Sequence, residues 1–217
     1  MNKDMIKRIL IYIAGILILA LGLVLNAKTG LGVSPILSVS FVLSKIVPLT
    51  FGTCTAIIYC LLVLIQILLY RKITLAIILQ LPLSYLFGIL IDFYNMLIPI
   101  NNPAFPYAII MLLVAIVFTA IGAFLMVSVQ LIVNPGDGYV NAFAIVLNKP
   151  FGKVKFVLDL TLVCLSTIIS FVVLKHLVGI GLGTIVAALM TGPVIHALDS
   201  HFGLSIANIV IASKTKS

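Results

Sequence analysis

The residues most able to do chemistry in this chain are a few polar groups set among long apolar runs. Pro135-Gly136-Asp137-Gly138 is the most informative of them. Proline and glycine break a helix, and broken backbone at membrane depth is tolerated only against protein or a water-filled cavity. A short helix that begins at Gly138 would point unpaired N–H groups at a bound anion or carboxylate. The alternative is a simple turn in which Asp137 caps that helix.

A second candidate is Asp159, a carboxylate inside an apolar segment. Lys155 lies four residues earlier, on the same face of a helix, and can pair with it. The structural interpretation is an ion pair at the membrane interface, with the lysine reaching outward to water. The functional interpretation is a carboxylate that faces the bundle interior and couples transport to a proton or cation.

His196, Asp199 and His201 form a third group at the end of the last apolar segment. His196 and Asp199 are three residues apart, so a His–Asp hydrogen bond on one helical face is feasible. The pair is a candidate proton relay, and interfacial anchoring is the alternative. A metal site needs a further ligand that nothing nearby supplies, so we expect no metal. We also expect no cofactor and no catalytic residue, because no nucleophile–base arrangement, P-loop or dinucleotide fingerprint occurs.

An extreme composition dictates the elements that hold these groups. Of 217 residues, 63% are hydrophobic and 8% are charged, and the mean hydropathy is +1.37. Soluble domains carry roughly a quarter charged residues, so this composition excludes a soluble globular protein. The net charge of +8 therefore indicates membrane topology and not nucleic-acid binding. The expected partners are the lipid bilayer and a small-molecule substrate, with a homo-oligomer left open.

Six segments are long enough to cross about 30 Å of hydrocarbon as helices. They are Ile9–Ala27, Gly52–Tyr70, Ile73–Ile91, Tyr107–Gln130, Phe156–Leu174 and Val178–Leu198. Two further apolar segments, Pro35–Val47 and Pro135–Leu147, are too short, since a helix of that length rises only about 20 Å. The sequence therefore predicts an all-α membrane protein with about six spans and two short broken or re-entrant segments.

Charge counting favours six crossings over eight. If the short segments do not cross and the amino terminus is cytoplasmic, ten positive residues are cytoplasmic and three, Lys28, Lys45 and Lys175, are external. If both segments cross, the split becomes nine to four and Arg71 and Lys72 fall on the wrong side. The positive-inside rule thus predicts a cytoplasmic-membrane protein with both termini cytoplasmic.

The chain also matches itself at an offset of 100 residues. Ala20-Leu21-Gly22 falls on Ala120-Ile121-Gly122, Val33-Ser34-Pro35 on Val133-Asn134-Pro135, and Phe51-Gly52 on Phe151-Gly152. With a further shift of seven residues, Asp92 falls on Asp199. We expect one membrane domain of two halves, about 9–92 and 107–199, joined by an external loop, about 94–106, and followed by a short tail, 202–217.

Each half would comprise a span, a short broken segment and two further spans. Because three crossings is an odd number, the second half would enter the membrane inverted relative to the first. Such inverted repeats are the plan of many secondary transporters. The alternative is the weak apolar self-similarity that any six-span protein can have.

The pattern of glycines and prolines also resembles a known family. Ala20-Leu21-Gly22, Gly30-Leu31-Gly32-Val33-Ser34-Pro35 and Gly181-Leu182-Gly183-Thr184-Ile185 with Gly192-Pro193 are similar to the YitT/YczE-like bacterial integral membrane proteins. The resemblance covers nearly the whole chain. It implies a multi-helix protein of the bacterial inner membrane and supplies no catalytic residue. In related sequences a polar or acidic residue is expected soon after the first-half proline, whereas here Ile36 and Leu37 follow Pro35.

Two classes of function remain. The architecture favours a small-solute transporter or permease. The scarcity of charges within the spans favours a neutral solute or a non-transporting accessory or scaffold protein of an export or biosynthetic complex. An enzyme is not expected, because the interior lacks a cluster of His, Asp, Glu or Arg. For a transporter, the candidate substrate-binding residues are Pro35, Pro135, Gly136, Asp137 and Gly138. The candidate coupling or proton-relay residues are Asp159, His196 and Asp199.

Overall fold

The computed structural model describes the backbone of residues 3–214 and the side chains of residues 5–204 and 206. Within this range the chain is helical and has no strand. In chain order the helices are α1 (Lys3–Lys28), α2 (Pro35–Leu43), α3 (Phe51–Tyr70), α4 (Leu75–Ile78), α5 (Gln80–Leu97), α6 (Phe105–Ser128), α7 (Pro135–Leu147), α8 (Phe151–Ile169) and α9 (Leu182–Lys214). A single π-helical turn, Ser170–Leu174, extends α8.

Six stretches of the described chain are long and apolar enough to span a bilayer. They are Met5–Lys28, Phe51–Tyr70, Leu75–Leu97, Phe105–Ser128, Phe151–Leu174 and Leu182–Leu204. The third combines α4 and α5, and the fifth combines α8 with its π-helical turn. The prediction of an all-α membrane protein with about six spans is confirmed.

Several span boundaries differ from the prediction: the first span begins at Met5 and not at Ile9, the third ends at Leu97 and not at Ile91, and two other starts have a specific structural cause. The fifth span begins at Phe151 and not at Phe156, because the helix continues through the lysines that the hydropathy pattern excluded. The sixth begins at Leu182 and not at Val178, because the preceding residues pair with the loop that leads into α2. Val33 N donates to Gly179 O at 2.8 Å, and Gly183 N donates to Leu31 O at 2.7 Å.

The antiparallel pair α1 and α6 forms the centre of the bundle. Arg8 Nη2, near the start of α1, donates to Val129 O just after α6 at 2.9 Å. At the other end of the pair, Lys28 Nζ donates to Asn101 Oδ1 at 3.0 Å. Gly22 and Gly122 each pack directly against the backbone of the opposite helix, where a Cβ would clash. The Ala-Leu-Gly and Ala-Ile-Gly segments therefore allow the two helices to approach closely.

The short helices α2 and α7 pack crosswise between the halves. Helix α2 lies against α8, and α7 lies against α3. Their amino-terminal ends meet, since a Cβ built on Gly136 would lie 2.9 Å from Ile36 Cγ1. Helix α2 does not cross the bundle: Lys28 before it and Lys45 after it line the same cleft. The chain therefore returns to the end of the bundle at which α1 finishes.

Candidate functional site

Three charged side chains meet where α7 packs against α8. Lys155 Nζ lies 3.4 Å from Asp159 Oδ2 and 3.9 Å from Asp137 Oδ1. Asp159 is 8% exposed, and it lies more than two helical turns from the start of α8. Two carboxylates share one ammonium, so the cluster has a net charge of −1 when all three groups are ionised. Asp159 is the buried member of the network, whereas the side chains of Asp137 and Lys155 are 23% and 32% exposed.

Polar atoms around this cluster lack hydrogen-bond partners among the described residues. They are Tyr59 Oη, Asn134 Oδ1 and Asp159 Oδ1. Tyr59 is fully buried in α3, and a small side-chain movement would pair its hydroxyl with Asn134. Buried polar atoms are nearly always satisfied. Their concentration here indicates a site that can hold a proton, a cation or a polar group of a solute.

A pair of glutamines fixes the start of α7 against α3 and α5. Gln66 Nε2 donates to Gln80 Oε1 at 2.8 Å and to Pro135 O at 3.3 Å. Gly138 lies against this pair, where an added Cβ would be 2.6 Å from Gln66 Oε1. The glycine is therefore needed for close approach of α7 to the glutamines.

The Gln66–Gln80 cleft lies at the end of the bundle where α1 begins. It has a volume of about 430 Å³. The residues that line it are Gln66, Tyr70, Lys72, Thr74, Ile77, Gln80, Val133, Gly138 and Asn141. Val133 follows Ile132, whose carbonyl accepts a hydrogen bond from Tyr12 at 2.9 Å, and this bond fixes the cleft at that end.

The Lys28–Lys45 cleft lies at the opposite end, where α1 finishes. It has a volume of about 640 Å³. Its lining combines basic, amide and apolar residues: Ala27, Lys28, Gly30, Gly32, Val33, Phe41, Lys45, Asn95, Asn101, Asn102, Leu177, Val178 and Gly179. Both volumes are within the range typical of small-molecule sites.

The two clefts use corresponding positions of the two halves. At the offset of 100 residues, Val33 corresponds to Val133 and Phe41 to Asn141. At the offset that relates Asp92 to Asp199, Tyr70 corresponds to Leu177 and Lys72 to Gly179. Four lining positions of each cleft are therefore related by one of these two offsets, and three of the four pairs have different side chains.

The residues predicted around the broken segments come together in the structure. Pro35 begins α2 and Pro135 begins α7, with Asn134 and not Asp137 at the N-cap position. The expectation that the second short helix begins at Gly138 was wrong, because Asn134 O already accepts from Gly138 N at 2.8 Å. Asp137 lies in the first turn, where a carboxylate interacts favourably with the helix N-terminus.

Two predicted residues lie away from the cluster. His196 and Asp199 are on the outer part of α9, and within the described side chains no hydrogen bond joins them. Asp92, the first-half counterpart of Asp199, accepts from Gly52 N at 2.8 Å and from Thr50 Oγ1 at 2.5 Å, at the start of α3. Asp199 has no corresponding contact in the described part of the chain, since α9 packs mainly on α6 and α1 and scarcely touches α8.

The sequence did not single out Tyr59, Gln66, Gln80 or Asn134. Tyr59 occupies the position that corresponds to Asp159, and Asn134 precedes the second-half proline. The available signal was a polar side chain inside an otherwise apolar span, which is costly in a bilayer and therefore has a reason to be there.

Comparison with known proteins adds a family but no function. Neither the curated proteins nor the solved structures gave a match. One family profile matches residues 6–200, which is most of the chain. The protein belongs to this family, DUF6198, a family of unknown function.

Proposed function

We propose that this multi-pass membrane protein is a transporter of small solutes. The observation that carries the proposal is the pair of clefts at opposite ends of the bundle, whose linings share four positions related by the offsets of the sequence self-match. Between them lies the Asp137–Lys155–Asp159 cluster with its unpaired polar atoms. A scaffold protein would have no need for such atoms at membrane depth.

The proposal includes an inverted repeat. Support comes from the crosswise packing of α2 on α8 and of α7 on α3. Further support comes from the packing of Gly22 and Gly122, each against the partner helix of the α1–α6 pair. An exchange of the two halves would turn the α2–α8 contact into the α7–α3 contact, and the contact of Gly22 into that of Gly122. In transporters with inverted repeats, movement of one half against the other opens the central site to each side in turn.

The central cluster would bind the substrate and the coupling ion. The carboxylate of Asp159 is the coupling group, since its Oδ1 has no partner among the described residues. Uptake of one proton at Asp159 brings the cluster to zero net charge and turns an unpaired acceptor into a donor. Asp137 and the amino-terminal ends of α2 and α7 would contact the solute.

The proposed setting is the bacterial cytoplasmic membrane, with both termini in the cytoplasm. The distribution of positive charge supports this orientation, and the YitT/YczE resemblance supports the bacterial inner membrane. The Gln66–Gln80 cleft then opens to the cytoplasm and the Lys28–Lys45 cleft opens to the outside.

The test is untargeted metabolite profiling of cells and medium during expression of the wild-type chain. Asp159→Asn is the inactive variant, and Asp199→Asn is the matched control, because Asp199 lies on α9 away from the cluster. We expect a set of solutes that redistributes across the membrane with wild type and with Asp199→Asn but not with Asp159→Asn. Identical profiles for all three proteins and for an empty vector would contradict transport.

A further inference from the structure

The Lys28–Lys45 cleft combines two ammonium groups with a lining that has no acidic residue among the described positions. Lys28 is only 8% exposed, whereas Lys45, on the loop that follows α2, is exposed to solvent. Taking a charged amine out of water is costly unless an opposite charge accompanies it. The feature to be explained is a pair of cations without an anion.

The local partners of both lysines are neutral. Lys28 Nζ donates to Asn101 Oδ1 at 3.0 Å, and Lys45 Nζ lies 5.1 Å from the centroid of the Phe41 ring. Among the described side chains, no carboxylate forms an ion pair with either lysine.

The acidic residue of α5 is Asp92, and its carboxylate binds the start of α3 and not the two lysines. Its two oxygens accept from Gly52 N and Thr50 Oγ1 at the start of α3. Asn95, less than one helical turn further along α5, lines the cleft. The Asp92 carboxylate therefore caps α3, and the Asn95 amide lines the cleft.

We propose that the Lys28–Lys45 cleft binds small soluble oxyanions, that is, molecules with a carboxylate or phosphate group. The inference rests on the proposed transport function, since it assigns the substrate class of the transporter. Two lysines of the lining supply the charge. A volume of about 640 Å³ accommodates a metabolite larger than an inorganic ion.

The opposite cleft does not have this electrostatic character. The Gln66–Gln80 cleft contains one lysine, Lys72, among glutamine, asparagine, threonine and tyrosine side chains. Between the clefts, the N-termini of α2 and α7 each contribute roughly half a positive charge, which offsets the net charge of the central cluster. An anion that enters at the lysine end therefore meets no net negative charge on its way inward.

Charged thiol reagents measure the electrostatic potential of the cleft without knowledge of the substrate. Asn95→Cys in a background without Cys54, Cys60 and Cys164, the free cysteines of the described chain, places one thiol at the lining. The protein, in nanodiscs of phosphatidylcholine at physiological salt, is treated with sulfonatoethyl or trimethylammonioethyl methanethiosulfonate. We expect the anionic reagent to be favoured by roughly tenfold, relative to the same two reagents with a thiol in solution.

Lysine variants test whether the cleft causes the preference for the anionic reagent. Lys28→Gln with Lys45→Gln should abolish it, and Lys28→Gln keeps a hydrogen-bond donor for Asn101. Lys175→Gln is the matched control, because Lys175 is an exposed lysine of the same end that does not line the cleft. No preference at the thiol introduced by Asn95→Cys, or an equal loss in the control, would overturn the inference.

Competition measures binding itself. Millimolar succinate or inorganic phosphate, in constant salt, should slow the anionic reagent saturably, whereas glycerol should not. If the anionic reagent is slowed only in discs that contain phosphatidylglycerol, and not by succinate or phosphate, the cleft binds a lipid headgroup. That result would overturn the proposal for soluble anions. The two proposals fail separately: anion binding without solute movement contradicts transport, and solute movement without anion preference at the Asn95→Cys thiol contradicts only the substrate class.

Discussion

Ile36 and Gly136 contact each other, although 100 residues separate them in the chain. They occupy corresponding positions of the two halves, each one residue after the proline that begins a short helix. A residue can contact its own counterpart only close to the axis that relates the halves. Their contact therefore supports a two-fold axis between the tips of α2 and α7, next to the charged cluster.

The first prediction concerns that axis. In an experimentally determined structure, residues 9–92 should superpose on residues 107–199 after about a half-turn around an axis in the membrane plane. The physical reason is that three crossings per half invert the second half. A best superposition around the membrane normal would contradict the inverted repeat.

The second prediction tests the close approach at Gly138. Gly138→Ala places a Cβ against Gln66 Oε1 and disturbs the Gln66–Gln80 hydrogen bond. We expect the free energy of unfolding to fall by about 1 kcal/mol, because an unpaired buried amide costs roughly 1–3 kcal/mol and alanine recovers about 1 kcal/mol of helix propensity. Gly152→Ala is the matched control, because nothing lies within 4 Å of its Cβ position.

Thermal unfolding of the purified protein in detergent measures both variants. Gly152→Ala should be neutral or slightly more stable than wild type, since alanine favours helix. Equal destabilisation of the two variants would show that the glutamine contact is unimportant for stability.

The third prediction separates the two aspartates of the cluster. Asp159→Asn should reduce coupled uptake of the solute found by profiling by at least about tenfold, because the exchangeable proton site is lost. Stability should change little, since Lys155 keeps Asp137 as a partner at 3.9 Å. Asp137→Asn should alter solute binding and leave the pH dependence of uptake in place, because Asp159 still takes up the proton.

Uptake into vesicles at several external pH values distinguishes these effects. Wild type should respond to external pH, whereas Asp159→Asn should respond little, because its side chain is neutral at every pH. Asp199→Asn should behave like wild type. An Asp159→Asn protein with full uptake and wild-type pH dependence would exclude Asp159 as the coupling group.

The fourth prediction concerns orientation. In a cysteine-free background, Asn95→Cys should react with an impermeant thiol reagent from outside intact cells. Lys149→Cys, on the connection between α7 and α8, should react only after the membrane is permeabilised. The reason is the charge distribution, with positive residues retained on the cytoplasmic side. If Lys149→Cys reacts from outside and Asn95→Cys does not, the orientation is opposite to the proposed one. Reaction of both cysteines from outside would contradict the span count.

The spans and the short helices could be predicted because hydropathy, length and proline determine them locally. Pro135–Leu147 agrees at both boundaries, whereas the fifth span was predicted to start too late. The error came from Lys155, which a hydropathy argument moves to the membrane surface. In the structure two carboxylates compensate its charge, and one of them, Asp137, comes from a different helix.

The candidate site could be predicted only where chain-breaking residues marked it. Asp137, Gly138 and the two prolines are part of it, but the role of Tyr59 depends on how α3 packs against α7, which no local pattern encodes. His196 and Asp199 lie outside the cluster for the same reason. Their spacing suits one helical face, but α9 packs mainly on α6 and α1 and not on the helices that form the cluster.

The most direct test of the transport account is the accessibility of Ile36 from each side of the membrane. In the cysteine-free background, Ile36→Cys should react with an impermeant maleimide in both right-side-out and inside-out vesicles, because each cleft opens in turn to the contact between α2 and α7. Ile91→Cys, in the apolar core, should react in neither, and Asn95→Cys only in right-side-out vesicles. Reaction of Ile36→Cys from one side alone, or from neither, would contradict alternating access to the centre.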